Sequence, residues 1–548
     1  MERYTIGVDF GTLSARAVLV NVRSGETAAE REMAYPHGVI TELPKGKPLW
    51  AGWALQDPAD YLAALEWMIP ALLRDGGYPE VVGIGCDFTS CTILPVQKDG
   101  TPLCQLEAYR ENPHAWVKLW KHHAAQPQAE RLEALARKEA PGLMERYGGR
   151  VSAQWMLPKI WEILEDAPEI YQDAGMFLEA GDWIVLQLTG ELRRNACAAG
   201  FKGFWDARQG YPAPEFLAKL DGRLEHLVRD KLPGETAAPW EKAGTLTPQW
   251  AARLGLQPGI AVAAGIIDAH AGVLGSGITG AGTMLLILGT SSCHILLSPE
   301  EKHVPGICGS CRDGILPGLY AYEAGQPCVG DMLDWFIRNN VPARYTAEAA
   351  ARNIGLHQLL SEQAGRLRPG ESGLLALDWW NGQRTPLVNN RLSGLMLGMT
   401  LRTTPPEQYR ALVESTAYGT RWIVETFEHA GMETGELAAC GGIAQKNPFL
   451  MQVYADVLQR PVSVPASGQC AALGAAILAA SAAGVYPGPA EAAHHMAAKN
   501  GTVYQPDPAW REAYDQLYQE YKELSLWFAQ GGNDVMKRLP DFAARLVR

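Results

Sequence analysis

Two short stretches, one in each half of the chain, constrain the fold most. Val8-Asp9-Phe10-Gly11-Thr12-Leu13-Ser14 aligns with Leu286-Ile287-Leu288-Gly289-Thr290-Ser291-Ser292. In both, an apolar run ends in Gly-Thr-x-Ser and a second apolar run follows, Ala17 to Val22 in one and Cys293 to Leu297 in the other. Each reads as a β-hairpin whose tip carries Gly and hydroxyls, and the backbone N–H groups of such a turn can bind anionic oxygens. A repeat at roughly half the chain length predicts two domains of like topology, not a solenoid. Facing each other across a cleft, the two hairpins would hold a triphosphate from both sides.

A further apolar run, Ile260 to Ile267, ends in Asp268-Ala269-His270-Ala271-Gly272. It reads as one buried strand delivering a carboxylate to an open edge, where Asp268 would accept a proton from an alcohol. The alternative is a structural carboxylate capping the next helix. Pro and Gly between Pro239 and Leu246 break the pattern and predict two domains, 1–245 and 246–548. Apolar spacing predicts helices over Pro58–Leu73, Glu130–Lys138, Leu157–Leu164, Glu407–Thr426 and Ala471–Ala482. Val81–Cys86 and Leu319–Tyr322 read as strands, leading to Asp87-Phe88-Thr89-Ser90 and to Glu323. Leu437–Cys440 leads into Gly441-Gly442, where a flat ring can approach the backbone; Asn447 and Pro448 then start a helix. Lys202, between Gly and aromatics, is either a snorkelled surface residue or a cation facing a ligand. His122 and His123 read as a solvated helix end. Trp510, Tyr514, Leu517, Tyr521, Leu524 and Phe528 form one helical face, which packs on its own domain or makes a homodimer contact.

Composition narrows the classes. The chain has 548 residues, 48 basic against 60 acidic, and a net charge of −12, which argues against nucleic-acid or anionic-membrane binding. Met1 to Phe10 lacks the basic and apolar regions of a signal peptide, so a cytoplasmic protein with reduced cysteines is expected. No stretch reads as a membrane span. Cys308-Gly-Ser-Cys311 is a lone C-x-x-C without further ligands at metal-site spacing. Gly275-Ser-Gly277-Ile-Thr-Gly280 matches a dinucleotide-binding pattern but is followed by a strand, not a helix. No P-loop motif and no G-x-S-x-G elbow occur.

The motifs together resemble the FGGY carbohydrate kinase family. The matching residues are Asp9 to Arg16, Pro158-Lys159-Ile160-Trp161, Leu188-Thr189-Gly190, Ile267-Asp268-Ala269-His270, Gly289-Thr290-Ser291-Ser292, and Gly441-Gly442 to Asn447 followed by Val453 to Val457. Leu119 to His123, Gly200 to Trp205 and the chain length point, within the family, to members acting on L-ribulose. Asp87-Phe88-Thr89-Ser90-Cys91 departs from the Asp-x-Thr-Gly-Ser pattern of many members.

The resemblance implies an α/β fold of two actin-like, ribonuclease H-like domains around a central nucleotide and sugar cleft. It implies ATP, Mg²⁺ and a ketopentose phosphorylated at its terminal hydroxyl: L-ribulose first, with D-ribulose, xylulose or a related polyol as alternatives. On this reading Asp268 is the base. Gly11, Thr12, Ser14, Arg16, Gly289 and Thr290 attend the phosphates, and Asp9 holds Mg²⁺ through water. Gly441, Gly442 and Asn447 lie at adenosine, and Lys202, Glu323, Ser90 and Trp120 contact the sugar. The competing class is a non-enzymic actin-like or chaperone-like ATP switch, which needs no alcohol pocket.

Overall fold

The computed structural model describes residues 2–50, 52–498 and 500–546. Two seven-stranded mixed sheets form its two halves. In the first, Arg3–Phe10 pairs antiparallel with Ser14–Asn21 and parallel with Glu80–Phe88. In the second, Thr283–Leu288 pairs antiparallel with Ser292–Ser298 and parallel with Glu436–Cys440. The correspondence continues outward. Thr27–Ala34 matches Tyr320–Gln326 on one side. Ala261–Ala263 with Lys242–Thr245 matches Val462–Val464 with Thr502–Tyr504 on the other. The repeated hairpin therefore marks two copies of one topology. The central strands are covered on both faces, which is why their sequences are apolar without alternation.

The first domain does not end at residue 245. Lys242–Thr245, Ala261–Ala263 and Ile266–Ile267 all belong to the first sheet. Pro239 lies in a turn inside the domain, Gly244 lies in the strand Lys242–Thr245, and Thr247 caps a short helix, Pro248–Leu254. The run Ile260 to Ile267 is also not one strand. It breaks at Gly265, whose φ of +90° turns the chain before Ile266 pairs with Asp87. The chain crosses to the second half only through the helix Asp268–Gly275.

A small sheet of Leu55–Gln56, Val117–Lys118, Ile93–Val96 and Met176–Glu179 is inserted in the first half. The helix Met156–Asp166 packs in a core shared with this sheet. The tail helix Arg511–Ala529 buries Tyr514 and Tyr521 against its own domain. There the Tyr514 hydroxyl receives a hydrogen bond from Arg410 (2.9 Å), and Tyr521 donates to Asp378 (2.7 Å). No helix among the described residues is long and apolar enough to cross a membrane.

The Ala-rich helix Cys470–Ala482 joins the halves. A Cβ on Gly7 would lie 1.8 Å from the Ala472 carbonyl oxygen, and one on Gly85 would lie 2.0 Å from that of Ala475. On the helix's other side, a Cβ on Gly474 would lie 1.9 Å from the Ala271 carbonyl oxygen. Only glycine permits these approaches of backbone to backbone. Gly85→Ala should therefore lower stability by about 2–3 kcal/mol through overpacking, read as a lower denaturation midpoint; an unchanged midpoint would show that the helix can retreat freely.

Candidate functional site

Three adjacent strands of the first sheet end on carboxylates. Asp9 ends Arg3–Phe10, Asp87 stands beside it in register on Glu80–Phe88, and Asp268 follows Ile266–Ile267. Strand ends of this kind are where open α/β sheets bind ligands. Asp268 begins a helix, and its Oδ1 accepts the Ala269 N–H at 2.7 Å. The helix has no side-chain cap, so this contact with the next amide is not the expected capping alternative, and it engages one oxygen. Burial, then the nearby Asp9 charge, pushes the Asp268 carboxyl up to about 7. Asp9 is also raised, chiefly by burial, although the Arg16 guanidinium lies 3.4 Å away. Asp87 is fully buried, and neither of its oxygens has a hydrogen-bond partner among the described residues.

The two hairpins differ at their tips. Phe10 faces Ala15 across a four-residue loop, whereas Leu288 faces Ser292 across three. The Gly11 N–H donates to the Ser14 carbonyl and the Gly289 N–H to the Ser291 carbonyl, both at 3.0 Å. These two amides close their own turns and are not free for phosphate, contrary to expectation. Ser14 donates to Glu32 at 2.8 Å, and Arg16 reaches Glu32 at 3.1 Å, so both are turned toward the third strand. Thr12 Oγ1 accepts from the Trp120 indole at 3.0 Å, and its carbonyl accepts from Gln56 at 2.7 Å. Thr290 turns its carbonyl to the N–H groups of Val329 and Asp331 (2.9 and 3.2 Å).

On the other side of Asp268 lies a second cluster. Lys202 Nζ contacts Glu323 Oε1 at 2.8 Å with both residues buried, and Glu323 Oε2 lies 3.6 Å from His270 Nε2. Lys202 is therefore neither snorkelled nor exposed. Burial works against its charge, but Glu323 outweighs that and holds the ammonium above its usual value. Burial keeps His270 neutral, down to about 4. The charges of Glu323 and Lys202 both act on Asp268, which ties the clusters into one cleft. Glu323 sits inside the strand Tyr320–Gln326, not at the end of a shorter one. Arg384, from a turn to which no role was assigned, adds its charge to Glu323, Cys293 and Cys308. Its guanidinium makes no hydrogen bond or ion pair among the described residues, and its carbonyl accepts the Val388 N–H at 2.9 Å. Cys308 and Cys311 are both buried.

The loops bearing Ser90 and Trp120 are tied together by Lys159. Its buried ammonium donates to the carbonyls of Cys91 (2.6 Å), Leu119 (2.9 Å) and Lys118 (3.4 Å). Nearby, Lys118 and His122 both reach Glu162, each at 3.1 Å, all three fully or almost fully buried. His122 is thus part of the core and not a solvated helix end. It lies in a loop, because alternate side chains there turn inward to Glu162. His114, Glu162 and Asp166 are the one group of metal-type ligands in range among the described residues, but Lys118 and His122 already occupy Glu162.

At the second half's edge, Gly441 has a φ of +95° and a Cβ there would meet the Leu288 carbonyl, whereas Gly442 faces open space. Asn447 caps the helix Pro448–Leu458 through the Leu450 N–H at 3.0 Å. Lys446 beside it acts on Glu32, and Lys121 acts on Asp331, so charges from opposite halves meet across the cleft. Glu32 and Arg384 stood in no sequence motif; Asp87 and Lys159 stood in motifs but without a role, although Asp87 follows an apolar strand as Asp9 does.

Glu162→Gln should cost about 3–5 kcal/mol, because it leaves Lys118 buried without a counter-charge. Urea unfolding of the variant measures this; a loss below about 1 kcal/mol would mean that water reaches Lys118.

Family models match both halves: the FGGY family of carbohydrate kinases, N-terminal domain, over residues 4–275, and its C-terminal domain over 284–483. The first match ends at residue 275 and the second begins at 284, consistent with the sheet membership described above. A protein named ribulokinase from Halalkalibacterium halodurans is 49% identical, covering 98% of this chain and 97% of its own. One of the same name from Bacillus licheniformis is 51% identical, covering 96% and 97%. The crystal structure of xylulose kinase from Rhodospirillum rubrum superposes with a TM-score of 0.79 at 24% identity, covering 96% of this chain and 99% of that one.

Proposed function

The chain belongs to the FGGY family of carbohydrate kinases, and from that premise we propose that it transfers the terminal phosphoryl group of ATP to the terminal hydroxyl of a ketopentose, L-ribulose foremost. The observation that carries this reading is the position of Asp268: one carboxyl, raised to about 7, with Asp9 on one side and the Lys202–Glu323 pair on the other. The ribulokinase name of relatives near 50% identity supports the choice of sugar. Ten free cysteines and the need for ATP suit a reducing, ATP-supplied cytoplasm.

A sugar hydroxyl is too weak an acid to ionise alone at neutral pH. Asp268 accepts its proton as the oxygen attacks phosphorus, and a pKa near the working pH suits a group that must both take up and release it. The free Oδ2 faces the alcohol while Oδ1 stays anchored to Ala269. Lys202 donates to a sugar oxygen and Glu323 accepts from a hydroxyl, each kept in its charged form by the other. Ser90 borders the same pocket, while Trp120 positions Thr12. Arg384 offers an unpaired guanidinium to the sugar's oxygens. The phosphates lie on amides at the hairpin tips, Thr12 and Leu13 on one side and Thr290 and Ser291 on the other; Arg16 balances the acidic strand ends. Gly442 gives the adenine ring a flat approach, and Gly441 and Asn447 shape that turn. Mg²⁺, which takes oxygen ligands, fits the Asp9 carboxyl and when bound neutralises charge on the triphosphate. The sugar pocket lies between the halves, with Lys202 and Ser90 from the first and Glu323 and Arg384 from the second, and the second half carries the adenosine site.

The second reading, an ATP switch without an alcohol substrate, leaves the buried Lys202–Glu323 pair without a purpose. ADP release over a panel of L-ribulose, D-ribulose, xylulose and glycerol separates the two. Stimulation by a pentulose supports the kinase; sugar-independent turnover supports the switch.

Asp268→Asn should lower kcat by about 10²–10⁴ with little change in sugar KM; near-normal turnover discards the assignment. In the wild type, kcat should fall as pH drops through about 7, because the base must be ionised. The folded carboxyl titrates above its unfolded value, so ionising it costs stability as pH rises toward 7. Asp268→Asn should therefore melt higher than the wild type at about pH 8; a lower melting temperature would mean that the carboxylate is stabilising.

A further inference from the structure

Asp87 has no part in the mechanism above, yet its surroundings are unusual. It is 0% exposed, and both carboxylate oxygens lack any hydrogen-bond donor among the described residues. A buried polar group without a partner destabilises the fold, and a charged one does so more. Its strand neighbour in register is Asp9, so the two side chains project from the same face of the sheet. Phe10 and Phe88, the next residues on each strand, stack with ring centroids 5.0 Å apart and fix that register on the opposite face. The Asp9 and Asp87 carboxyls lie against each other, and Asp268 adds a third negative group. Among the described residues Arg16 is the one cation paired with Asp9 or Asp87, and it is shared between Asp9 at 3.4 Å and Glu32 at 3.1 Å. Carboxyl oxygens are thus packed together, the one N–H donor on those of Asp9 and Asp87 among the described residues is Arg16 on Asp9, and one guanidinium cannot neutralise the group.

We propose that Asp87 and Asp9 form a two-carboxylate site for a divalent cation, with Asp87 serving as an oxygen ligand to the metal that accompanies the nucleotide. Only oxygen donors are present, the set that Mg²⁺ and Mn²⁺ accept. The site rests on the kinase reading only in naming the nucleotide as the metal's companion; the two carboxylates stand without it. It also gives a reason for Asp at position 87, where Asn would fill the same volume and bring its own donor. A proton shared between the two carboxyls is the competing account, and it predicts no role in metal affinity.

The experiment is a Mn²⁺ titration followed by electron paramagnetic resonance, on the whole protein with ADP and no sugar, for wild type, Asp87→Asn and Asp87→Ser. The site predicts at least a tenfold weaker Mn²⁺ affinity in both variants. It also predicts that metal-free Asp87→Asn melts no lower than wild type, since a like charge has been removed, and that added Mg²⁺ raises its melting temperature less. Mn²⁺ affinity within twofold of wild type in either folded variant, or no Mn²⁺ binding by wild type, overturns the proposal. Ketose phosphorylation with Mn²⁺ affinity unchanged in the variants overturns the site and leaves the reaction standing. Lost affinity in variants of a protein that phosphorylates no ketose does the reverse.

Discussion

The contact on which the rest depends is backbone against backbone. The helix Cys470–Ala482 comes from the second half of the chain, yet it lies directly on two strands of the first, at Gly7, Gly83 and Gly85. Its opposite side meets the helix Asp268–Gly275 through Gly474. That second helix starts at the candidate base. Close approach leaves little freedom for side chains to repack, so the angle between the two sheets is set by van der Waals contact of main chains. The strand ends carrying Asp9 and Asp87 and the helix start carrying Asp268 are thus held by one piece of packing.

Charge in the cleft is segregated around that frame. Asp9, Asp87 and Glu32 stand on one side, with Arg16 as their cation. Lys202, Arg384 and Glu323 stand on the other, with net positive character. Asp268 lies between, raised by burial and by its acidic neighbour. A base set between an anionic pocket and a cationic one has its proton affinity fixed by both, and filling either pocket changes it. This is why burial alone, which also raises Asp87 and Glu179, does not identify the base. Position between two charged clusters is what favours Asp268 in the proposed role.

Much of this was legible in the sequence, and the reasons for the failures are physical. The paired Gly-Thr-x-Ser hairpins gave the duplicated topology, because a turn between two buried strands leaves a local pattern. The Ala-rich run gave the central helix. The boundary was misplaced because Pro and Gly mark turns within a domain as readily as linkers between domains. The strands around Val262 and Ile266 reveal their sheet only through pairing with residues far away in sequence. Lys202 and Glu323 entered through family resemblance; their 2.8 Å contact spans the two halves and leaves no periodic trace. Arg384 comes from an irregular turn, where no periodicity exists to read. Lys118, His122 and Glu162 look like surface residues by type, and only their mutual neutralisation makes burial tolerable.

The two hairpins also show how a duplicated topology takes up unequal roles. The second is held by main chain: Gly330 donates to the Gly289 carbonyl at 3.0 Å, and a Cβ on Gly330 would lie 2.7 Å from that oxygen. The first is held by side chains, Trp120 on Thr12 Oγ1 and Gln56 on the Thr12 carbonyl. Those side chains come from the small inserted sheet and its loops. Lys159 fastens the Trp120 loop to the loop after Ser90. The first hairpin and the Ser90 loop therefore share one scaffold, whereas the second hairpin stands apart from it. Any shift of the Ser90 loop must move against Lys159, and through Leu119 and Trp120 it reaches Thr12. In the proposed reaction, which joins an alcohol to a phosphoryl group, that mechanical link connects the first hairpin with the Ser90 loop of the same half.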